Sequence, residues 1–481
     1  MKPNIIYLLS DQHNPAVMGC NGNPYVRTPN MDRLYHSGTA LDSCYCAAPL
    51  CVPSRSALLT GLLPTHNGVY NNMQCLSSDK ATFVNSLTVS GYETVLSGRM
   101  HFVGYDQRHG YEKRFVGDIT PCFIGGDNET EIYGDFRRSS GQNLTSIKKS
   151  GAGHSAVLDF DRDVTEAACR YLESRTDERP LFMTVGFYGP HCPYIAPKEL
   201  YDYYYNLLPE ISFMGEEEKS RMHPAIQKWY ENRKMDQVRP EDVRRIRAAY
   251  YGMVEYADSL IGQILDTVEK TIGWENTIII YGSDHGDNIG EHGLFWKTNF
   301  YEGSAHVPMV FVQKGVFPEN ARIKGLTSLL DLAPTLLELV DAEQLPECDG
   351  ISLANHLRTA EDIPEDREIV SVCSDIKGDN PSAMLCWKNY KLIKHAGYED
   401  CQLFDLSSDP QELKDLGTDP EYCSIVAELE GKLLKYWDGE TALKLLEKDK
   451  FHFRMLKKWY DIVNPEVIEE WRGDPAQNYL V

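Results

Sequence analysis

The stretch Cys51-Val-Pro-Ser-Arg-Ser-Ala-Leu-Leu-Thr-Gly61 is the part of the chain around which the rest is organised. Pro53 presets the backbone for a first helical turn, and Gly61 is a natural left-handed stop. The pattern predicts a loop that enters a short helix, with Cys51 just ahead of the helix N-terminus. Backbone N–H groups and the helix dipole favour an anion there, and Arg55 is predicted to point its guanidinium at the same spot. The stretch therefore pairs a nucleophile-class side chain with an anion receptor.

The composition is that of an ordinary globular chain with a strongly acidic balance. Hydrophobic residues make up 42% of the 481 positions, and the formal net charge is −23. A chain of this length exceeds one small core, so a large domain with a smaller second one is expected. The acidic balance argues against nucleic acid as a partner and against a broadly basic surface for long polyanions. It is compatible with a local basic pocket for a single anionic group.

The N-terminal residues and the cysteines bear on the compartment. Met1–Ser10 lacks a small-residue cleavage site and leads directly into Asp11, so we predict a first strand and no secretory leader. No apolar run has the length of a membrane span. Thirteen cysteines, an odd number without framework spacing, favour reduced thiols. The expectation is a cytoplasmic protein without a membrane partner, although a chain trimmed of its leader would show the same pattern.

Four apolar runs are typical of buried parallel strands, and each leads into Asp, His or Arg. The first is Asn4–Leu9, which leads to Asp11 and Gln12. The others are Glu93–Ser97 before Arg99 and His101, Leu181–Phe187 before His191, and Thr277–Tyr281 before Asp284 and His285. Because the carboxyl ends of parallel strands meet at one sheet edge, we expect these side chains to converge there with Cys51.

Helical patterns separate these strands. Apolar stripes predict amphipathic helices over Arg244–Lys270 and Ala156–Glu173. A third is predicted over Leu326–Val340, with Pro334 in its middle or at a break. Alternating strands and helices predict the α/β class, as a sandwich with a large, mostly parallel sheet flanked by helices.

The pattern changes from about residue 365 onward. Short runs at hairpin spacing predict an antiparallel sheet. These runs are Ile369–Ser374, Ala383–Trp387, Tyr390–Lys394 and Cys401–Asp405. Helices are predicted over Tyr422–Trp437 and Lys444–Trp459, and Asn464–Val481 is expected to be a packed or partner-swapped tail. We therefore predict a catalytic domain at 1–364 and a smaller α+β subdomain at 365–481.

Two polar stretches look inserted between these elements, namely Asp127–Ser155 and Tyr201–Val243. Specificity commonly lies on loops held by a rigid scaffold, so either stretch is predicted to be a rim loop that shapes substrate choice. A solvated loop is the simpler interpretation for any single residue within them.

Asp11, Gln12, Asp284 and His285 form a candidate cation cluster. Three of them offer oxygen, and the fourth offers an imidazole nitrogen. Oxygen-rich ligation suits Ca²⁺ or Mg²⁺, while the histidine leaves Mn²⁺ open.

The motif Cys-x-Pro-Ser-Arg-x-x-x-Leu-Thr-Gly resembles the signature of the type I sulfatases, in the alkaline phosphatase superfamily. A second stretch, from Ser283-Asp-His-Gly-Asp-Asn to Lys297, is similar to the family segment that supplies metal ligands and a sulfate-binding lysine. The resemblance implies an alkaline phosphatase-like fold. It also implies that a maturation enzyme oxidises Cys51 to formylglycine, whose hydrated aldehyde attacks sulfur.

The resemblance further implies roles for the candidate residues. The metal, expected to be Ca²⁺, would be held by Asp11, Gln12, Cys51 in its modified form, Asp284 and His285. Residues expected to bind the sulfate ester are Asn72, Arg99, His191 and Lys297. Arg55 and Arg99 would offset charge on the sulfate oxygens. His191, helped by Lys297, would protonate the leaving alcohol, and His101 would take the proton of the second geminal hydroxyl.

Two positions depart from the family pattern. Relatives commonly carry Gly-Lys-x-His where this chain has Gly98-Arg99-Met100-His101. An arginine keeps the charge but hardly gives up a proton, so a role in proton transfer would be impaired there. Gln12 stands where many relatives have a second aspartate, which lowers the charge of the cluster and leaves the metal open.

The predicted activity is hydrolysis of a sulfate ester of a saccharide, an aryl alcohol or choline. The stretches Met100–Gly110 and Phe300–Ala305 most resemble choline sulfatases and the phosphonate monoester hydrolase branch. One alternative is a phosphonate monoester or phosphodiester hydrolase with the same nucleophile, because a monoanionic phosphodiester and a sulfate monoester are alike in size and charge. Another is a non-catalytic protein that binds sulfated ligands. Family resemblance also suggests a homo-oligomer formed through the tail.

Overall fold

A nine-stranded sheet lies at the centre of the computed structural model, which describes residues 2–120, 123–125, 131–209, 215–375 and 379–481. The described strands, in chain order, are β1 (Asn4–Asp11), β2 (Thr39–Tyr45), β3 (Glu93–Gly98), β4 (Lys113–Phe115), β5 (Gly151–His154), β6 (Leu181–Pro190), β7 (Ile195–Ala196), β8 (Thr277–Ser283), β9 (Asn288–Ile289), β10 (Phe295–Trp296), β11 (His306–Val307), β12 (Met309–Val312), β13 (Ala321–Ser328), β14 (Glu368–Cys373), β15 (Ser382–Trp387), β16 (Tyr390–His395), β17 (Cys401–Asp405) and β18 (Tyr479–Leu480). The large sheet has the order β11-β2-β12-β8-β1-β6-β3-β4, and β13 pairs with β2.

Helices cover this sheet. In chain order the described α-helices are α1 (Pro29–His36), α2 (Cys51–Thr60), α3 (Pro64–Asn67), α4 (Phe83–Val89), α5 (Leu144–Lys148), α6 (Ala156–Ser174), α7 (Lys198–Leu207), α8 (Glu216–Ser220), α9 (Pro224–Asn232), α10 (Pro240–Thr271), α11 (Glu302–Ala305), α12 (Leu332–Leu339), α13 (Ala354–Thr359), α14 (Cys423–Leu433) and α15 (Gly439–Val463). The 3-10 helices are Gly19–Asn21, Glu131–Phe136, Met235–Gln237, Glu291–Gly293, Leu329–Asp331, Pro420–Tyr422 and Pro475–Gln477. None of the described helices is long and apolar enough to cross a membrane. The predicted α/β class is confirmed.

The four predicted site strands lie side by side and run parallel. Strand β1 pairs in parallel with both β8 and β6, and β6 pairs in parallel with β3. Each strand extends one to three residues beyond its predicted end, because backbone pairing continues after the apolar side chains stop. The carboxyl ends of β1, β3, β6 and β8 therefore meet at one edge of the sheet.

One predicted helix is partly wrong. The segment Leu326–Ser328 belongs to strand β13 and pairs in parallel with Ser43–Tyr45, so its backbone hydrogen bonds are made within the sheet. The Ser328 hydroxyl then accepts from the backbone N–H of Leu330 and starts the helical part. Pro334 lies in the first turn of α12, where its missing N–H costs no helical hydrogen bond.

The stretch Tyr201–Val243 is mostly helical, so its prediction as a loop was wrong. Its described residues include most of α7, α8, α9 and the start of α10. Tyr204 of α7 is buried, and α7 packs along α10. Short helices with one apolar contact face look polar in sequence, which explains the error. Positions 127–130 and 210–214 of the two inserted stretches lie outside the described residues.

The C-terminal antiparallel sheet is confirmed and lies against α2. Strands β14, β15, β16 and β17 pair antiparallel in that order. Ala57 of α2 belongs to the same buried apolar cluster as Leu385 and Leu403 of this sheet. The backbone N–H of Val372 also donates to the Ala47 carbonyl oxygen at 2.8 Å. The second sheet thus supports the helix that begins at Cys51.

The tail packs on its own chain. Backbone hydrogen bonds join Asp118 N to Glu469 O at 2.7 Å and Trp471 N to Asp118 O at 2.8 Å. Farther on, β18 pairs antiparallel with β5. Of the two predicted arrangements, the packed tail is the one that this structure has.

Gly186 provides a test of the close approach of β3 and β6. A Cβ added there would lie 1.9 Å from the carbonyl oxygen of Arg99. We expect Gly186→Ala to lower the free energy of unfolding by about 2 kcal/mol or more, measured by urea denaturation. The control is Gly431→Ala in α14, where an added Cβ meets nothing within 4 Å. That change should leave stability equal or raise it by up to about 1 kcal/mol, and equal losses would contradict the prediction.

Candidate active site and metal centre

Helix α2 begins at Cys51, one residue earlier than the sequence pattern predicts, so the cysteine is the first residue of the helix. All ten residues of α2 are buried, and Gly61 ends it with a left-handed φ of 67°. The Oδ1 atom of Asn72 accepts from the backbone N–H of Val52 at 3.0 Å. Asn72 therefore caps the helix that carries the cysteine, which is a supporting contact beside the expected sulfate contact.

The Cys51 sulfur is enclosed by side chains from three distant parts of the chain. His285 Nε2 lies 3.2 Å away, Lys297 Nζ 3.5 Å, and Asp11 Oδ1 3.6 Å. These residues follow β8, β10 and the apolar part of β1, respectively. The predicted convergence at one sheet edge therefore occurs, and it occurs around this sulfur.

Asp11, Cys51, Asp284 and His285 form a group that can hold a metal ion. One ligand atom from each lies within 4.8 Å of the others, and all four residues are buried. His285 Nδ1 lies 2.9 Å from the Gly286 carbonyl oxygen, which leaves Nε2 as the atom that faces the group. Two carboxylates and an imidazole nitrogen are a suitable donor set for a divalent cation.

Gln12 stands beside this group, and its amide is held by Lys297, by Asp287 and, at 3.5 Å, by the Tyr194 hydroxyl. Its Oε1 accepts from Lys297 Nζ, and its Nε2 donates to Asp287 Oδ2 at 2.6 Å. Its backbone has a left-handed φ of 69°, and its N–H donates to Asp284 Oδ1 at 3.1 Å. The side chain that was expected to bind metal therefore positions Lys297 in this structure.

Arg55 does not point at an open anion site, because its donors are bound to protein acceptors. Its Nε donates to Asp284 Oδ2 at 2.8 Å, and its Nη2 donates to Asp11 Oδ2 at 3.1 Å. Its Nη1 donates to the Arg99 carbonyl oxygen at 2.9 Å. The other oxygen of each carboxylate lies on the side of the metal group, where Asp284 Oδ1 also accepts from the backbone N–H groups of Gln12 and His285. Arg55 therefore orients both carboxylates.

Arg99 links Asp11 to the next part of the site. Its Nε donates to Asp11 Oδ2 at 2.7 Å, and its Nη1 donates to Asp118 Oδ1 at 2.7 Å. Its Nη2 lies 2.7 Å from His101 Nδ1. Because a guanidinium can only donate, His101 Nδ1 accepts, and the proton of the neutral ring is on Nε2. Burial, together with the Arg99 charge, lowers the pKa of His101.

Lys297 is a buried site residue, not a solvated surface lysine, with 2% of its surface exposed. The residues on either side of it, Trp296 and Thr298, have left-handed φ values of 63° and 65°. This backbone turns the lysine into the site, where it contacts Gln12 and Cys51. Burial by itself would lower the pKa of Lys297, but negative groups including Asp11 raise it above its ordinary value.

His191 follows β6 and is held as a neutral ring. Its Nδ1 lies 2.7 Å from the Cys192 carbonyl oxygen, so this nitrogen carries the proton and Nε2 is the acceptor atom. Burial, and next the charge of Lys297, lower the pKa of His191 well below its ordinary value. The Tyr188 ring packs against it in a T-shaped contact, with ring centroids 4.7 Å apart.

Two buried carboxylates that support the site were missed in the sequence. Asp118 Oδ2 accepts from the His101 backbone N–H at 2.8 Å. Asp161 of α6 accepts from the backbone N–H groups of Tyr188 at 2.7 Å and Gly189 at 2.8 Å. Burial raises the pKa of Asp161 to about 7. Asp161 lies on the apolar stripe of a predicted amphipathic helix, which is a usable signal, whereas Asp118 lies in an isolated bridge with Glu470, where the sequence has no periodic pattern.

Cavity size does not locate this site. A cavity of about 1600 Å³ is lined by Asn14, His292, Glu302, Arg322 and Glu412, among others, and by none of the predicted site residues. The site is identified instead by its converging charges, because perturbed and buried titratable groups cluster where chemistry is done.

Comparisons with known proteins agree with this geometry. The sulfatase family matches residues 3–342, and the family described as N-sulphoglucosamine sulphohydrolase, C-terminal, matches residues 290–439. A choline-sulfatase of Rhizobium meliloti (strain 1021) is 33% identical over 438 residues, covering 87% of this chain and 83% of the relative. An arylsulfatase of Clostridium perfringens (strain 13 / Type A) is 29% identical over 489 residues, covering 92% and 98%.

Solved structures share the fold. BT4656 in complex with its substrate D-glucosamine-2-N,6-O-disulfate has a TM-score of 0.73 at 23% identity, covering 93% of this chain and 99% of that one. The phosphonate monoester hydrolase of Agrobacterium radiobacter has a TM-score of 0.73 at 22% identity, covering 90% and 95%. The family match covers more than half of the chain, and the Rhizobium relative exceeds 30% identity over most of it. The chain therefore belongs to the sulfatase family of the alkaline phosphatase superfamily, and it is a sulfuric ester hydrolase that cleaves sulfate esters to alcohol and sulfate.

Proposed function

We propose that this sulfatase acts through a formylglycine made from Cys51 and a divalent cation held beside it. The observation that carries the proposal is the burial of the Cys51 sulfur against His285, Lys297 and Asp11. A cysteine kept only for packing would be surrounded by apolar groups. Here it adjoins two carboxylates, an imidazole and an ammonium, which suits a reacting group.

The proposed oxidation to formylglycine explains why a cysteine stands at position 51. Oxidation by a maturation enzyme replaces the thiol with an aldehyde, and the hydrated aldehyde supplies one hydroxyl to attack sulfur and a second to release sulfate. A thiol has no second group for that release. The position at the start of α2, capped by Asn72, keeps residue 51 fixed while the substrate binds.

The cation is proposed to be Ca²⁺, with Mg²⁺ and Mn²⁺ as alternatives. Asp11, Asp284, His285 and residue 51 would hold it, with Gln12 adjacent, since their donor atoms already cluster and both carboxylates are hard oxygen ligands. When bound, it supplies positive charge beside residue 51 and the sulfate oxygens. Gln12, the fifth expected ligand, would reach the cation through Oε1, the atom that accepts from Lys297 Nζ in this structure.

The remaining residues bind the ester and move protons. We assign Lys297 and Asn72 to the sulfate oxygens, because their polar groups border residue 51 and the start of its helix. Arg99 is assigned to the same oxygens through its charge, since its Nε, Nη1 and Nη2 atoms donate to Asp11, Asp118 and His101. His191 presents Nε2 to the leaving oxygen, and its proton comes through Lys297, because burial keeps the free ring neutral. His101 donates from Nε2 to residue 51, since Arg99 occupies its Nδ1. The role expected from the family is to accept a proton at Nε2. For that, the ring must carry its own proton on Nδ1, which requires the contact between Nδ1 and Arg99 to break.

The substrate and setting are also proposals. A small sulfated alcohol is favoured because a solved structure with this fold holds a sulfated glucosamine as its substrate, and a relative found by sequence is named a choline-sulfatase. The twelve cysteines of the described residues are free thiols, which suits the cytoplasm. We also propose that the chain divides into a catalytic domain at 1–364 and a smaller subdomain at 365–481, and that it forms a homo-oligomer through its tail.

Replacing Cys51 tests the nucleophile. Cys51→Ala and Cys51→Ser should each abolish release of sulfate from p-nitrophenyl sulfate, because alanine has no group to oxidise and serine lacks the thiol on which the proposed maturation acts, while circular dichroism stays unchanged. Mass spectrometry of the wild-type peptide that contains residue 51, after coexpression with a maturation enzyme, should show the aldehyde. Wild-type rates in Cys51→Ala would refute the proposal. A higher kcat/KM on a phenylphosphonate monoester than on p-nitrophenyl sulfate would favour the phosphonate alternative.

Removing the cation tests the metal centre. Dialysis against EDTA should remove the bound metal, measured by elemental analysis, and abolish turnover of p-nitrophenyl sulfate. Ca²⁺, Mg²⁺ and Mn²⁺ added in turn identify the ion that restores it. Asp284→Ala should lose the metal because it removes a carboxylate ligand, whereas the exposed change Asp461→Ala should retain it. Full activity without bound metal would contradict this assignment.

Asp118 tests the support of Arg99. Both residues are buried, so Asp118→Ala leaves the guanidinium charge partly uncompensated. We expect a loss of about 3–5 kcal/mol in the free energy of unfolding. The exposed pair Lys457–Asp461 is the control, and Asp461→Ala should change stability by less than about 0.5 kcal/mol. If Asp118→Ala and Asp461→Ala lowered the free energy of unfolding by similar amounts in urea, the pair of Arg99 and Asp118 would not stabilise the fold.

A further inference from the structure

A second group of polar side chains adjoins Lys297, and we name it the Thr298 cluster. It comprises Gln142, Trp229, Arg233, Thr298 and Asp375. The Thr298 hydroxyl lies 3.0 Å from Gln142 Oε1, 2.9 Å from Trp229 Nε1 and 3.3 Å from Arg233 Nη2. Arg233 Nη2 also donates to Asp375 Oδ1 at 2.9 Å. These contacts join four segments that are far apart in the chain.

The cluster borders the active site on two sides. Thr298 follows the lysine that contacts Cys51, and its backbone N–H donates to the Pro49 carbonyl oxygen at 3.0 Å. On the other side, Asp375 follows Ser374, whose hydroxyl accepts from Asn71 Nδ2 at 3.3 Å. Asn71 precedes Asn72, the cap of the helix that carries Cys51. The cluster therefore adjoins both the lysine that contacts residue 51 and the loop that caps its helix.

The two stretches predicted to shape substrate choice meet in this cluster. Gln142 belongs to Asp127–Ser155, and Arg233 belongs to Tyr201–Val243. Asp375 comes from the C-terminal sheet, just after β14. Segments inserted into a common scaffold that converge beside its catalytic residues are where specificity is expected.

Two donors of the cluster lack a protein partner among the described residues. They are Arg233 Nε and Gln142 Nε2, and both atoms are buried. Arg233 is 8% exposed. Burial lowers its pKa, although the negative charge of Asp375 acts in the opposite direction. Leaving buried donors unpaired is costly, so such donors are usually satisfied by a ligand or water. An alcohol that carries oxygen acceptors would satisfy them.

The aromatic face in the cluster is already occupied by a cation. The Arg233 guanidinium lies over the Trp229 ring at 4.1 Å from its centroid. The nearby indole of Trp296 is fully buried. A quaternary ammonium needs an open aromatic face and is repelled by a fixed guanidinium. The cluster is therefore unsuited to choline, although a relative is named for choline sulfate.

We propose that Arg233 and Gln142 determine the substrate specificity of this sulfatase. They bind hydroxyl or carboxylate oxygens on the alcohol part of the ester, and they disfavour alcohols that carry a quaternary ammonium. The inference rests on the proposed function, because it takes residue 51 as the point where sulfate binds. It identifies the alcohol as an acceptor-rich one, such as a saccharide.

The test compares substrates in enzyme that carries the aldehyde and the metal. The probes are choline sulfate, the 6-sulfates of glucose, galactose and N-acetylglucosamine, and p-nitrophenyl sulfate. We expect the best saccharide to exceed choline sulfate in kcat/KM by about tenfold or more. In Arg233→Met that ratio should fall by about 10- to 100-fold, the range for a lost hydrogen bond to a charged group. Gln142→Leu should lower it in the same direction, and Arg233→Lys should lower it less than Arg233→Met.

A binding measurement separates recognition from turnover. In the Cys51→Ala background, calorimetry should show weaker binding of the best saccharide sulfate when Arg233→Met is added. Thermal unfolding checks that each variant folds. If Arg233→Met does not fold, the same binding measurement is made with Gln142→Leu. The matched control is Arg170→Met on α6, whose side chain is 74% exposed, and it should leave the ratio unchanged.

Three outcomes would overturn the inference. They are a wild-type preference for choline sulfate, a ratio unaffected by both Arg233→Met and Gln142→Leu, and turnover of p-nitrophenyl sulfate without turnover of any saccharide sulfate. Failure of the aldehyde-bearing wild type on p-nitrophenyl sulfate itself would instead refute the proposed function. The two failures are therefore distinguishable.

Discussion

The two oxygens of Asp11 face opposite ways, and the site depends on that division. Oδ2 accepts from Arg55 and Arg99, while Oδ1 faces Cys51 and His285. Burial alone would raise the pKa of Asp11, but charges including Arg99 and Arg55 hold it well below its ordinary value. A buried carboxylate is tolerable only when it is paired in this way. The arginines therefore keep Asp11 ionised and turned towards the place where a cation and residue 51 meet.

The scaffold holds these charges by ending several strands at one edge and then bending the backbone sharply. Gln12, His101 and Thr298 all have left-handed φ values, of 69°, 53° and 65°. Such conformations are unfavourable for residues with a Cβ and persist where surrounding contacts determine them. Here those contacts are Asp284 and Asp287 on Gln12, Asp118 on His101, and the Thr298 cluster. Local strain is thus balanced by the same hydrogen bonds that orient the site.

The two departures from the family pattern have local partners that explain how they are accommodated. Arg99 has more donors than a lysine, and Asp118, His101 and Asp11 each accept one hydrogen bond from it. Gln12 replaces a charge with an amide, and Asp287 lies 2.6 Å from that amide nitrogen. Burial raises the pKa of Asp287 to about 7. In both places a carboxylate outside the cluster of metal donors binds the changed side chain: Asp118 binds Arg99, and Asp287 binds Gln12.

The sequence by itself determined the α/β class, the strands that carry the site, the C-terminal antiparallel sheet and the residues that gather around Cys51. Those features depend on local patterns, namely apolar runs, periodic stripes and motif spacing, which are readable without knowing any distant contact. Only the tertiary structure decided that Arg55 binds Asp11 and Asp284, that Asp161 holds the backbone before His191, and that Gln142, Arg233 and Asp375 meet at Thr298. The direction of a polar side chain is set by whichever acceptor folding brings within about 3 Å of it, and here those acceptors lie tens to hundreds of residues away.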